Sequence, residues 1–309
     1  MTPGLPLPTG RLDSQAGRRE QHASRCSGAS AVPTTTANLY SLETVNQLVV
    51  EPLFATSVAL SSGLTRVNTS ATKYYIPVVS GGSASWPVEL AEIADSGVNA
   101  NELEVVPKRC AALQVVSNQS ADDAGAAELL GRALVASLAD QIDKGFFAGV
   151  ANGPSGLPAV SGVTPITANP ALNLDWVPDA IAAIEAQGGK AGAIYCSPAT
   201  WAALSKLKTQ SSGSNQPVLS PQAGPTQGTS RSLFGVPVFT SRQIADSGGT
   251  PTPGAWVIDT SRVVVVVRDD PSVEADKSAK FTADGTAVRA VVRLEFGFPY
   301  PSTIAKVHL

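Results

Sequence analysis

Apolar residues recur with a helical period over one long stretch, residues 120–149. A spacing of four residues places them on one side of an α-helix. Ser120 and Asp123 supply the hydroxyl and the carboxylate that favour a helix N-terminus, and Gly149 and Pro154 end the pattern. We therefore predict a spine helix over this stretch. Its apolar side holds Leu130, Leu134, Leu138, Ile142 and Phe146, and its charged residues, Glu128, Arg132, Asp140, Asp143 and Lys144, fall mostly elsewhere.

Alternating β-branched segments predict strands before this helix. Residues 73–79 form one predicted strand, and residues 103–107 with 112–116 form its return. The stretch between them carries Trp86 and several acids but no lysine or arginine. At about twenty residues it is too long for a plain hairpin turn. The pattern favours a projecting two-stranded loop that lies on another subunit over a loop in free solvent.

The first part of the chain lacks a long periodic element. Residues 39–64 begin as a short helix, which Pro52 is expected to break, and continue as an extended segment rich in Ser, Thr and Val. Residues 1–36 are rich in Pro, Gly, Ser and Arg and would be disordered alone. They form either an arm that neighbouring subunits or the rest of the fold hold in place, or a free tail.

Helices and strands alternate in the second half of the chain. Residues 173–189 predict a helix, residues 191–196 a buried strand, and Ser197 with Pro198 the cap and first turn of another helix. Residues 210–230 have no period and are predicted loop. Further strands are predicted at 234–240, 255–259, 263–267, 286–295 and 301–307. The five valines at 263–267 need a covered strand, because an exposed one would aggregate. This order indicates an α+β fold with helices against a mixed sheet.

Composition adds that the surface is weakly charged. The 309 residues are 43% hydrophobic but only 15% charged, with a net charge of −3. Such a surface suits a chain that is covered by copies of itself, because charge is depleted at interface cores. The charge balance gives no reason to expect tight nucleic-acid binding over a broad face. No apolar run approaches the ~20 residues of a membrane span or resembles a signal peptide, so we expect a cytosolic protein where it is made.

Residues typical of catalytic or metal sites are sparse. The two histidines, His22 and His308, lie near the chain ends, and no common hydrolase, zinc or phosphate-binding motif is present. Three widely spaced cysteines without a CxxC pair favour buried or idle thiols. Asp269 and Asp270 form a solvated strand end more readily than a cation site. We predict no catalytic residue, no cofactor and no metal, hence no enzyme; a small-molecule enzyme of mixed fold is the weakest alternative.

The order of several motifs resembles the major capsid protein family of tailed bacteriophages over roughly residues 39–309. The motifs are KYYIPVV, ASWPVELAEI, VVPKRCAALQVVSNQSADD, SLADQIDKGFFAGVANGPSGLP, AIYCSPATWAALSKLK and SLFGVPVFTS. The resemblance implies the phage major capsid fold. Its implied parts are an N-terminal arm (1–67), an extended two-stranded loop (68–106), a peripheral domain with the spine helix (107–170), an axial domain with a mixed sheet and flanking helices (171–285), and a C-terminal return to the peripheral domain (286–309).

The resemblance implies a structural function. The subunit would self-assemble as hexamers and pentamers into an icosahedral head that encloses double-stranded DNA without sequence-specific binding. Assembly in the host cytoplasm, residence in the virion, and portal, scaffolding and decoration proteins as partners are implied as well; a membrane is not. An encapsulin, a bacterial compartment shell with the same resemblance, is the alternative, and the proline-rich segment before Leu39 argues against it. The residues expected to contact other subunits are Leu39, Tyr40, Phe54, Trp86, Glu89, Glu92, Arg109, Gly131, Arg132, Gln210 and Pro217.

Two further features bear on assembly. Some members of the family join subunits through an isopeptide bond from a lysine on the extended loop, whereas residues 80–104 contain no lysine here. We therefore predict no such crosslink. Gly131 and Gly145 each cost about 1 kcal/mol relative to alanine inside a helix, and they are expected to let a sheet or a neighbouring subunit approach closely.

Overall fold

The computed structural model describes residues 51–82, 84–90, 92, 95, 97–117, 126–169, 173–208, 218–219, 231–244 and 254–308. The helices are α1 (Glu51–Thr56), α2 (Val58–Ser61), α3 (Ala126–Phe147), α4 (Trp176–Ala186) and α5 (Pro198–Ser205). The strands are β1 (Thr65–Thr69), β2 (Tyr74–Ser80), β3 (Asn99–Val105), β4 (Lys108–Ser117), β5 (Thr164–Thr167), β6 (Ala193–Cys196), β7 (Ser232–Leu233), β8 (Val236–Thr240), β9 (Ala255–Ile258), β10 (Val264–Lys280), β11 (Gly285–Gly297) and β12 (Ile304–His308).

The strands form three sheets in the described part of the chain. One has four strands in the order β1-β10-β11-β4, one has six in the order β5-β12-β9-β6-β8-β7, and β2 pairs with β3 alone. The six-stranded sheet is mixed, because β6–β8 and β12–β5 are parallel while β6–β9 and β12–β9 are antiparallel. A mixed sheet with helices against it is therefore confirmed.

The spine helix is confirmed as α3. Leu134, Leu138, Ile142 and Phe146 are all buried on its apolar side. The helix ends where predicted, just before Gly149, whose φ of +72° only glycine adopts readily. The predicted caps at residues 120 and 123 lie outside the described residues. Asp143 is the exception to the prediction that the charged residues fall mostly elsewhere, because this acid is only 6% exposed.

The pattern before the spine helix needs two corrections. Pro52 lies in α1 rather than at the start of an extended segment, and the helix predicted before it lies outside the described residues. The chain then forms α2 and becomes extended only at β1. Strand β3 is the return of β2, as predicted, but β4 is not part of that pair. It pairs with β11 instead, because its ten residues find a matching strand only far along the chain.

One core joins the spine helix to both large sheets. Residues of α3 pack with one face of the four-stranded sheet and with Tyr195, Trp256 and Ile258 from one face of the six-stranded sheet. The opposite face of the six-stranded sheet packs against α4 and α5 in a second core that includes Trp176. The valine run is covered as predicted, since Val263 and the following valines are buried or half-buried.

The C-terminal strands are longer than the sequence pattern predicts. Strand β10 continues through Asp269 and Asp270 to Lys280, so the interpretation of this pair as a strand end is wrong. A register shift against β11 between Arg268 and Ser272 accommodates the interrupted pattern. The implied boundary at residue 285 also cuts between paired strands, because β10 and β11 share one sheet whereas β12 belongs to the six-stranded sheet.

Candidate functional site

The β2–β3 hairpin stands on the outer face of the four-stranded sheet. Its base buries Ile76 and Val105 against Val266 of β10. Gly297 makes this close approach possible, because a side chain there would overlap the tip of Ile76 and lie 3.2 Å from Val105. The hairpin base is thus fixed to the sheet, and farther along β2 the Tyr300 hydroxyl donates to the Val79 carbonyl at 3.5 Å.

The far end of the hairpin carries apolar and acidic side chains together. Trp86 and Leu90 are fully exposed, and Val88 is 79% exposed. Glu89 and Glu92 lie among them and are exposed as well. We call residues 84–98 the acidic loop. Tryptophan and leucine side chains that find no cover in their own chain indicate a surface that another molecule covers.

The outer face of the four-stranded sheet carries the opposite charge. Arg109, Arg293 and Arg268 stand in one row across three neighbouring strands, because they pair in register. Leu113 and Val115 project from the same face of β4 and are 67% and 50% exposed. We call these five residues the arginine face. Arg109, Leu113 and Val115 are exposed on this face, so it suits an acidic and partly apolar partner.

Other predicted contact residues are spread over the molecule. Phe54 is half-buried and packs within its own chain, where the Arg66 guanidinium carbon lies 3.9 Å from its ring centroid. Arg132 is exposed on α3. A side chain at Gly131 would meet no described atom within 4 Å, whereas one at Gly145 would lie 3.1 Å from the ring of Pro154. Leu39, Tyr40, Gln210 and Pro217 lie outside the described residues.

A cavity beside the spine helix is lined in part by titratable groups. A cavity of about 330 Å³ between β4, α3 and the turn at 150–154 is lined by Lys108, Arg109 and Gln141. Lys108 donates a 2.7 Å hydrogen bond to the Gly153 carbonyl and lies 3.7 Å from Glu295, whose pKa is raised by burial. The lysine is thus held by its own chain.

Cysteines and metal-binding side chains are the other groups that could carry chemistry. Burial raises the pKa of the Cys110 thiol, and it raises the pKa of Cys196 to about 12, so neither thiol is activated as a nucleophile. Among the described residues, no group of three or more His, Cys, Asp or Glu side chains is placed to hold a metal ion. No helix in the described ranges is long and apolar enough to cross a membrane.

Sequence patterns missed four residues of the arginine face and the buried acid. The arginine face includes Arg268, Arg293 and the Leu113–Val115 pair, and only pairing in register between distant strands brings them to one surface. Asp143 offered one signal, since Ala139 and Phe147, four residues to either side, are both apolar. A single acid in such a row indicates either a buried polar contact or a break in the apolar side.

Comparisons with known proteins place this fold. A profile of the phage capsid family matches residues 42–309, and no curated protein matches the chain. Among solved structures, the chain is similar to the capsid of a native GTA particle at 19% identity, with 82% of this chain and 90% of that chain covered and a TM-score of 0.62.

Structures from two mycobacterial phages are similar as well. For Mycobacterium phage Bobi the identity is 19%, the coverage 82% of this chain and 90% of that chain, and the TM-score 0.64. For Mycobacterium phage Adephagia the values are 17%, 81%, 89% and 0.63. These likenesses establish the phage major capsid fold. Because the family profile spans most of the sequence, the chain belongs to the phage capsid family and is a structural subunit of a phage capsid.

Proposed function

We propose that this subunit assembles as hexamers and pentamers into an icosahedral head around double-stranded DNA, in the host cytoplasm, and acts without enzymatic chemistry. In this proposal the four-stranded sheet and the spine helix form the peripheral part of the subunit. The six-stranded sheet with α4 and α5 forms the axial part. The acidic loop of one subunit lies on the arginine face of the next.

The observation that carries the proposal is the complementarity of these two surfaces. The acidic loop offers carboxylates beside exposed Trp86 and Leu90, and the arginine face offers the exposed guanidinium group of Arg109 beside exposed Leu113 and Val115. They differ in charge and share apolar character, so a second copy fits better than a partner of one charge sign alone. The hairpin base is fixed on the same sheet that carries the arginine face, so each subunit presents a loop in one direction and a receiving face in another. Such a head-to-tail contact closes into a ring when the rotation from one subunit to the next divides a full turn.

The apolar part of this contact supplies most of its free energy. Burying Trp86 removes roughly 200 Å² from water, worth about 5 kcal/mol as an upper value. Ordering the loop offsets part of this, because association costs conformational freedom. Repetition over a closed shell then sums modest contacts into a stable particle.

A charge exchange tests the contact. Glu89→Lys with Glu92→Lys should abolish particles seen by electron microscopy while leaving the folded subunit unchanged, and Arg109→Glu should do the same. Combining all three changes should restore a measurable fraction of particles. Glu185→Lys, which reverses an exposed acid on α4, serves as the matched control and should assemble normally. A combined variant no better than its parents would overturn the docking of loop on face.

Particle contents test the remaining partners. We propose that the head encloses double-stranded DNA through its interior surface, with portal, scaffolding and decoration proteins as separate chains. The encapsulin alternative is not favoured by the family match. Nuclease-protected double-stranded DNA in purified particles is the expected result. Particles from infected cells that hold an enzyme and no nucleic acid would argue for the compartment instead.

A further inference from the structure

Asp143 is a buried acid whose hydrogen bonds all come from one distant segment. Its Oδ1 atom accepts from the Ser57 hydroxyl at 2.6 Å and from the Ala59 amide at 3.0 Å, and its Oδ2 atom accepts from the Val58 amide at 3.0 Å. The donors lie about 85 residues earlier in sequence, with separations of 84 to 86. The spine helix thus caps the N-terminus of α2 from outside.

The same segment is held from its other side by the six-stranded sheet. The buried hydroxyl of Tyr195 on β6 donates to the Ser62 oxygen, and the Ser62 hydroxyl donates to the Ala59 carbonyl at 2.7 Å. Residues 57–62 therefore have directed contacts to α3 and to β6 at once. Immediately after them the chain enters β1, at the edge of the four-stranded sheet.

Burying the Asp143 carboxylate has a cost in folding free energy, because the charged group leaves water. All three groups that donate to Asp143 are uncharged, and burial raises the pKa of its carboxyl group while the hydrogen bonds oppose that shift. The nearest charge that acts on it is Asp140 on the same helix, which also raises the pKa and is itself paired with Arg242. The desolvation of the carboxylate therefore offsets part of what its three hydrogen bonds contribute to stability.

The hydrogen bonds to Asp143 fix one position of α1 and α2 on the spine helix. Helices α1 and α2 have six and four residues, far too short to be stable alone. They pack on α3 through Leu53 and Ala59, which are fully buried. Apolar packing is not directional and tolerates small slides and rotations, whereas three hydrogen bonds to one carboxylate select a single register.

We propose that Asp143 is a positioning residue that sets the register of α1 and α2 on the spine helix, and that assembly with a second copy depends on this register. The part concerning the second copy rests on the proposed function. The positioning itself does not. Asp143 therefore acts on assembly by orienting a segment that contributes to it.

Local hydrogen exchange in dissociated subunits separates positioning from stability. Asp143→Leu should speed exchange of the Val58 and Ala59 amides by about 10- to 100-fold, the loss expected for hydrogen bonds to a charged group. Asp143→Asn keeps one acceptor oxygen and should expose only one of the two amides. The matched control is Asp140→Asn, which removes the same charge one turn earlier and should leave both amides protected. The melting temperature should fall little in any of these variants.

Particle assembly provides the second measurement. Asp143→Leu subunits should stay folded and yield far fewer closed particles, while Asp140→Asn subunits assemble as the unchanged chain does. Unchanged exchange at residues 58 and 59 in both Asp143 variants would overturn the proposal, as would faster exchange throughout the core with a large drop in melting temperature. If Asp143→Leu does not fold, Asp143→Asn and Ser57→Ala decide by the same amides. If the unchanged chain forms no particles, the proposed function fails while the exchange result still decides the positioning.

Discussion

Phe146 is the side chain on which the shared core depends most. It is fully buried, and its ring centroid lies 4.7 Å from that of Phe296 and 4.9 Å from that of Phe147. Tyr195 and Phe298 are at 6.1 and 6.2 Å. Phe146→Ala leaves a cavity between rigid elements from both sheets, which cannot collapse easily. We expect a loss near the upper end of the about 3–5 kcal/mol range for phenylalanine truncations, a large share of the about 5–15 kcal/mol that stabilises a typical domain.

Urea unfolding of dissociated subunits measures this loss. The fluorescence of Trp256 reports the shared core, and that of Trp176 reports the second core behind the six-stranded sheet. Because Phe146 contacts both sheets, both signals should shift together to lower urea. Phe146→Leu should lose less, and Leu113→Ala, an exposed change on β4, should lose under about 0.5 kcal/mol. A Phe146→Ala subunit that loses no more than Leu113→Ala would refute the reasoning, and a shift of the Trp256 signal alone would show that the sheets unfold separately.

Three further outcomes follow from individual positions. Gly131→Leu should leave subunit stability unchanged and block particles, whereas Gly145→Leu should destabilise the isolated subunit because Pro154 already fills that space; normal particles with Gly131→Leu would contradict this. The Cys196 thiol, with a pKa of about 12, should resist alkylation by iodoacetamide at pH 8 in folded subunits and react after unfolding, as read by peptide mass mapping. Because residues 80–104 contain no lysine, mature particles should run as one 31.6 kDa band on a denaturing gel; a ladder of larger bands would show crosslinking.

Local sequence patterns predicted most helices and strands but not which strands pair. The spine helix was predictable because four-residue spacing fixes one buried side whatever lies against it. The segment after Pro52 was predicted as extended because Ser, Thr and Val favour strands, whereas packing on α3 holds it as helix. Strand β10 was shortened in the prediction because polar residues after Arg268 hide a strand that bulges and continues. The partner of β4 depends on contacts with a strand more than 160 residues later, which no local pattern reveals.

The candidate site also has one part that was predictable from sequence and one part that was not. The acidic loop was visible from sequence, because its length and one-sided charge are local properties. Of the arginine face only Arg109 was predicted, since its neighbours in the row come from β10 and β11. The burial of Asp143 was not predicted, because a helical wheel does not show that the Ser57 hydroxyl and the Val58 and Ala59 amides face it. The role of a charged residue can be assigned only when the element that packs against it is known.

Because the hairpin base is fixed to the four-stranded sheet, a tilt of that sheet displaces the acidic loop. Ile76 and Val105 are locked over Gly297, so the hairpin and the four-stranded sheet turn as one rigid body. Strand β2 has seven residues, and at about 3.3 Å per residue the paired part reaches roughly 20 Å from its base. A tilt of the sheet by about 10° thus swings the loop tip by roughly 3–4 Å, about one residue's rise along a strand. If the acidic loop docks on a neighbour as proposed, the geometry of that contact varies with local shell curvature, and subunits at flat and at sharply bent places cannot hold identical contacts.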